Sequence, residues 1–190
     1  MRRVTISSIA LLVAALVFAG AAQATQIILQ TPQQLGQASP LVVRGKVSTV
    51  RSYWNETHTK IFTETVVQVD EAYKGQATST ARVIQMGGVV GNVRMHVYGA
   101  LAWQTGEEVL LFLEPDGHGA HRVCGFSQGK FLIERDPATG EAFVVGPALD
   151  DVEVLGAPSR DGRRVSPRPA RTPLDQFVDK ALGRRPEGGR

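Results

Sequence analysis

The sequence predicts an all-β fold, an antiparallel barrel with an extra C-terminal hairpin and a short helix towards each end. Three observations point there. From Leu41 onward, apolar residues recur at every second position through a series of short runs rich in Val and Thr. Their branched side chains suit a pleated surface. Clusters of Gly, Pro, Asp and Asn separate the runs, as tight turns require. Only two stretches carry helix-start signals, and both are short.

The first 24 residues stand apart. Arg2 and Arg3 precede an uncharged apolar run, Ile9 to Phe18, and Ala22-Gln23-Ala24 closes it with small residues. This is the layout of a secretory leader, with cleavage expected between Ala24 and Thr25. The apolar run is shorter than the roughly 20 residues of a membrane span. No second run of that length follows, so the mature chain is expected to be secreted or periplasmic, with no membrane span. Four segments are expected after the leader: a barrel domain over 25–156, a Pro/Arg-rich linker over 157–171, a helix over 172–183, and a disordered tail over 184–190.

Thr31 followed by Pro32 is a helix start, which predicts a short helix from Pro32 to Ala38. In LVVRGKVSTV, Leu41, Val43, Gly45 and Val47 alternate with the other face, which predicts a half-buried strand. KIFTETVVQVDEAYKG predicts a longer one. Val66 and Val67 adjoin there, and a bulge at that point would bend the strand as a closing barrel requires. ARVIQM and NVRMHVYG predict a third and fourth strand. In GEEVLLFLEP the unbroken apolar run from Val109 to Leu113 predicts a central fifth. AHRVCGF and GKFLIER continue the series, and DPATG with EAFVVG reads as a hairpin. Four prolines and five arginines between Ala157 and Pro173 leave little to bury, which predicts a linker. TPLDQFVDKAL then repeats the helix start, with Thr172 as cap and Pro173 as first residue. Its Leu174, Phe177, Val178 and Leu182 form an apolar stripe expected to dock on the body. The length and bend of the first strands suggest a five-stranded oligonucleotide/oligosaccharide-binding (OB) barrel.

Charge narrows the partners. The whole chain carries +3, but the balance is uneven. Thr25 to Pro158 has 10 basic and 14 acidic side chains, and Ser159 to Arg190 has 9 and 4. A mildly acidic body with a basic tail argues against a nucleic-acid-binding body, which would show a basic face. Cys124 is the only cysteine, and it reads as a small buried apolar side chain.

QMGGVVGNVRMHV, Gln85 to Val97, raises the possibility of a phosphate loop. It lacks the Lys-Ser/Thr pair of a P-loop, and a strand pattern follows it where a helix is needed. The glycines are read as a turn or bulge, and no nucleotide or other cofactor is expected. GFSQG, Gly125 to Gly129, matches Gly-x-Ser-x-Gly, but Lys130 to Arg135 continues as strand and the motif needs a helix there. Asp116, His118, His121 and Cys124 have zinc-ligand types without a complete zinc spacing. No metal is expected, and a hydrolase using Ser127, or a metal at His118 and His121 with Cys124, is the enzymatic alternative. The loop SYWNETHTK carries Tyr53, Trp54, Glu56 and His58. In an OB barrel that loop borders the ligand face, and its aromatics suit stacking on a sugar or a partner side chain. Together with Gly88 and Asn92 of the neighbouring Gly87–Asn92 turn, they are the expected ligand-binding residues. Asn55-Glu56-Thr57 is also a glycosylation acceptor by pattern.

The runs ASPLVVRGKVSTV, KIFTETVVQVDEAYKG and TGEEVLLFLEPDGHGAHRVCGF, from Ser39 to about Phe126, resemble the netrin-like OB barrels that include tissue inhibitors of metalloproteinases. They also resemble uncharacterised secreted bacterial proteins with this β-domain. The resemblance implies the barrel fold, and an accessory or inhibitor-like role towards a secreted metalloprotease is one function it raises. Those inhibitors chelate zinc through an N-terminal Cys. The expected mature start here is Thr25, so that chemistry has no residue to carry it. The leading expectation is an exported, non-catalytic binding or interaction module for a protein or saccharide partner.

Overall fold

The computed structural model describes residues 26–146, 153–155 and 171–184. The expected leader, residues 157–170 of the expected linker and 185–190 of the expected tail lie outside the described residues. The strands are β1 (Gln26–Ile28), β2 (Leu41–Trp54), β3 (Ile61–Lys74), β4 (Thr80–Met86), β5 (Gly88–Val90), β6 (Val93–Met95), β7 (Glu108–Pro115), β8 (His121–Val123), β9 (Lys130–Arg135), β10 (Ala142–Val145), β11 (Glu153–Leu155) and β12 (Thr172–Pro173). Two helices, α1 (Pro32–Ala38) and α2 (Leu174–Leu182), complete the described elements.

Five strands close on themselves in the order β7-β2-β3-β4-β8, with β8 returning to β7. The result is an all-β barrel compatible with an OB-like fold. It is mixed where a purely antiparallel barrel was expected: β4 and β8 run parallel and meet at Val83 and His121. The expected C-terminal hairpin, β9 and β10, extends the sheet beyond β7.

β2 and β3 are the long strands that bend the barrel. Val47 pairs with Val67 but Thr49 with Val66, so Ser48 is the extra residue. The bulge expected on β3 at Val66 and Val67 therefore lies on the partner strand. Two further register shifts leave Asp70 and Tyr73 unopposed on β3. Each extra residue adds local twist, which curls a two-strand ribbon into a barrel wall. Inward positions on β3 run without a break through Ile61, Thr63, Thr65 and Val67, all buried.

The sheet has apolar residues on both faces. Val43, Val47, Val67, Val83, Val109 and Leu111 fill the barrel interior. Val42, Leu110 and Phe112 point the other way, under the helices, with Leu35, Phe131, Ile133 and Phe177. This explains the unbroken apolar run in β7, whose two faces serve two cores. Phe131 lies 4.7 Å from Phe177 and 5.7 Å from Phe112, between ring centroids. Such ring pairs add about 0.5–1.5 kcal/mol beyond the area they bury.

α1 begins as expected. Thr31 Oγ1 accepts from the Gln34 N–H at 3.2 Å, and Gln34 Oε1 accepts from the Thr31 N–H at 2.8 Å. α2 differs at its start. Thr172 and Pro173 form β12 against β10, and the N-cap is Pro173 with no side-chain cap bond. Thr172 is drawn into a sheet edge, so its hydroxyl is not spent on the helix.

NVRMHVYG yields only three strand residues, Val93–Met95, and these leave the barrel to pair with β5. Gly91 and Asn92 form the two-residue turn between them, as the turn reading has it for Gly91, whereas Gly88 is a strand residue of β5 with Gly87 just before it. The AHRVCGF strand is likewise short, and Cys124 lies beyond its end.

Candidate functional site

The inward faces of β2, β3 and β4 change character towards the end of the barrel where β2 finishes. Val47, Val67 and Ala81 are apolar and buried. The next rung, Val50–Thr65–Val83, holds one hydroxyl, and the rung above it, Ser52–Thr63–Gln85, is wholly polar. Trp54 and Ile61 lie opposite one another at the end. A polar row at the open end of an apolar barrel is where a ligand can exchange hydrogen bonds with the protein.

The hydroxyls form a directed chain. Thr63 Oγ1 donates to the Gly87 carbonyl at 2.7 Å. Thr63 has one hydroxyl proton, so in the 2.9 Å contact between Ser52 Oγ and Thr63 Oγ1 it is Ser52 that donates. The lone pairs of Ser52 stay open to an incoming donor. One rung deeper, Thr65 Oγ1 is buried and has no hydrogen-bond partner.

Two segments wall the mouth. The β5–β6 hairpin folds over it, tied by the Gly87 N–H to the Ile61 carbonyl at 2.8 Å and by the Ile61 N–H to Met95 Sδ at 3.3 Å. Gly88 lies directly against the hydroxyl pair, and a Cβ there would run into both Ser52 Oγ and Thr63 Oγ1. Only glycine lets the backbone approach so closely, and its φ of 137° also disfavours other residues. The second wall is the segment before β7. Gln85 Nε2 donates to the Leu101 carbonyl at 2.8 Å, and Trp103 Nε1 donates to Gln85 Oε1 at 3.1 Å. Lys130 Nζ lies 4.4 Å from the Trp103 ring centroid and bonds the Ala102 carbonyl at 2.5 Å and Glu107 Oε1 at 2.6 Å. Burial pulls the Lys130 ammonium below the ordinary lysine range, and Glu107 opposes that shift.

Between these walls lies a cleft of about 310 Å³. Its polar lining is Ser52, Thr63, Gln85, Arg94, His96 and Trp103, and none of its lining residues is acidic. That volume is at the small end of the about 300–1,000 Å³ range of small-molecule sites.

Of the expected ligand-binding residues, Gly88 lines the cleft. Trp54 is half-buried at the barrel end, with its ring stacked on His58 at 6.2 Å. Tyr53 is on the outer face, stacked on Phe62 at 6.3 Å with the Arg51 guanidinium 5.5 Å from its centroid. Glu56 and His58 are exposed on the connecting loop, and Asn92 is exposed at the hairpin tip. The loop holds itself together: Asn55 Oδ1 accepts from the Thr59 and Lys60 N–H groups, both at 2.8 Å. Asn55 Nδ2 donates to Thr57 Oγ1 and Thr59 Oγ1. Gly88 meets Ser52 of β2, which lies just before the expected loop of Tyr53 to Thr59.

The enzymatic alternative places as follows. Ser127 is buried in the turn before β9, and its Oγ has no hydrogen-bond partner. Its main chain continues into strand. His118 is exposed in a turn built on Asp116, whose Oδ1 accepts from the His118 and Ala120 N–H groups at 2.7 and 2.9 Å. His121 Nδ1 lies 3.3 Å from the Arg82 carbonyl. Cys124 is buried in the helix-side core. Among the described residues, no three His, Cys, Asp or Glu side chains are grouped to hold a metal ion.

Ser52, Thr63, Gln85, Arg94, His96 and Trp103 were not singled out from sequence. Three of them carried a signal: Ser52, Thr63 and Gln85 are polar residues at inward positions of otherwise valine-rich strands. Comparison with protein-family models finds no match, and comparison with curated protein sequences finds none.

Proposed function

We propose that this protein is an exported, non-catalytic binding module whose site is the cleft at the barrel mouth. The observation that carries the reading is the polar rung Ser52–Thr63–Gln85 beneath a walled opening. The secretory layout of the first 24 residues supports export. The resemblance of Ser39 to Phe126 to netrin-like barrels supports a binding role on this fold. Burial of Ser127 in a strand-bound turn supports a non-catalytic reading, since a nucleophile of that motif stands exposed at a helix start. The partner is a saccharide or another small polar molecule, and the loop Tyr53 to Thr59 forms the outer rim.

Amide NMR tests the site. Sugars, amino acids and small organic acids are titrated into isotope-labelled protein. The expected shifts fall on Gly87, Gly88, His96 and the Trp103 indole N–H. Shifts confined to the helix-side surface, or none with any of these compounds at millimolar concentration, would overturn it. Export is tested by expressing the full chain in a bacterial host: mass spectrometry should find a mature N-terminus at Thr25 outside the cytoplasm, and an intact leader on cytoplasmic protein refutes it.

A further inference from the structure

The charge and hydrogen-bond polarity of the cleft differ between its rim and its floor. Arg94 and His96 stand at the rim, both exposed. Among the described residues Arg94 has no ion pair or side-chain hydrogen bond, whereas Arg51, Arg82, Arg122 and Arg135 each face a glutamate. His96 packs edge-on against Tyr98 at 4.9 Å. No acidic side chain lines the cleft, so nothing within it offsets this positive rim. The floor is of the other kind. Its hydroxyl protons are committed inward, from Ser52 to Thr63 and from Thr63 to the Gly87 carbonyl, which leaves acceptor lone pairs on Ser52. The Thr65 hydroxyl, one rung deeper on the same inward face, is fully buried without a partner.

A ligand matching both ends needs an anion outside and a hydrogen-bond donor inside. A cationic amine inside would also satisfy Ser52, but no acidic side chain lines the cleft to balance its charge, so a neutral hydroxyl is favoured. Resting on the reading that the mouth is a ligand site, we infer that its ligand is a small hydroxylated carboxylic acid. Arg94 and His96 hold the carboxylate, and a hydroxyl of the ligand donates to Ser52. The cleft volume suits one sugar-acid unit rather than a chain. Arg is the side chain best shaped for a planar carboxylate, through two parallel N–H bonds.

The test compares matched probes on the full mature protein by amide NMR titration: glucuronate, galacturonate, gluconate and lactate against glucose, galactose and propionate. At least one hydroxy acid is expected to shift Gly88, His96 and the Trp103 indole, to bind about tenfold or more tighter than its neutral counterpart, as loss of a charge-assisted bond implies, and to bind more tightly than propionate, which lacks the hydroxyl. Arg94→Gln should abolish that preference, bringing the hydroxy acid down to the level of its neutral counterpart. Ser52→Ala should bring the hydroxy acid down towards propionate. Thermal melts of both variants check that the fold is retained, and Arg94→Gln, at an exposed site, carries the decision if Ser52→Ala unfolds. Equal or tighter binding of the neutral sugars or of propionate at the same amides overturns the inference and leaves the mouth standing as a site. Absence of any mouth shift with every probe removes both.

Discussion

Lys130 carries an ammonium to a place that water scarcely reaches. Its side chain is 7% exposed and that of its partner Glu107 15%. The Ala102 carbonyl and the Trp103 ring complete its surroundings. Removing one member of such a pair costs more than the pair is worth, because the other charge is left buried alone. Glu107→Ala should therefore lower unfolding stability by about 3–5 kcal/mol, measured by urea denaturation. Glu107→Ala with Lys130→Met should recover most of that loss. Asp136 offers a different test, one of pH. The Ala138 and Thr139 N–H groups bond its carboxylate at 2.9 and 3.1 Å and hold it below the ordinary carboxylate range. A carboxyl whose folded value is depressed contributes in full above its unfolded value of 3.8. The contribution is lost as pH falls through the lower folded value. The Ala138 and Thr139 amide shifts should accordingly titrate with a midpoint below 3.8, and a midpoint above it would contradict the geometry.

At the scale of elements, the close approach of the two helices rests on one residue. A Cβ on Gly36 would run into the Ala181 carbonyl oxygen of α2. Gly→Ala inside a helix ordinarily stabilises by about 1 kcal/mol, whereas overpacking costs about 1–3 kcal/mol. The obstacle is backbone and no rotamer relieves it, so Gly36→Ala should destabilise, by up to about 2 kcal/mol. A rise in melting temperature would show that α1 and α2 can separate freely. The same scale shows what was legible in the sequence. β2 and β3 were readable because each is long enough to display its period, β7 because its apolar run is unbroken, and the β9–β10 hairpin by the turn residues between its strands. AHRVCGF, expected as a strand, keeps only the three residues of β8, and β12, with two, is too short to show a period. Thr172 and Pro173 carry a sound helix-start signal, and pairing with Val144 and Phe143 overrode it. Two adjoining valines look alike whether the extra residue is theirs or lies opposite, so the pattern on β3 does not assign the bulge; only the register shows that it is Ser48.

The barrel as a whole depends on contacts that no local pattern displays. Its closure runs through a single parallel bridge, Val83 to His121, between residues 38 positions apart in sequence. The mouth likewise assembles Ser52, Thr63, Gln85, Arg94 and Trp103 from separate segments. The polarity of Ser52, Thr63 and Gln85 at inward positions is visible along their strands, but their convergence with Arg94 and Trp103 is not. The aromatic loop was readable because its residues adjoin in sequence, and that same feature favoured it over the cleft.

β7 has both of its edges occupied. β2 lines one along Glu108 to Leu113, while β9 and β8 divide the other, and the Phe112 N–H reaches the Gly129 carbonyl at 2.8 Å where they meet. Deuterium should therefore enter β7 last. In native-state exchange the amides of Val109 to Leu113 would open only with global unfolding, while those of β5 and β6, a two-stranded ribbon at the rim, should label by local opening well before. Reversal of that ranking would place the cooperative heart of the molecule elsewhere.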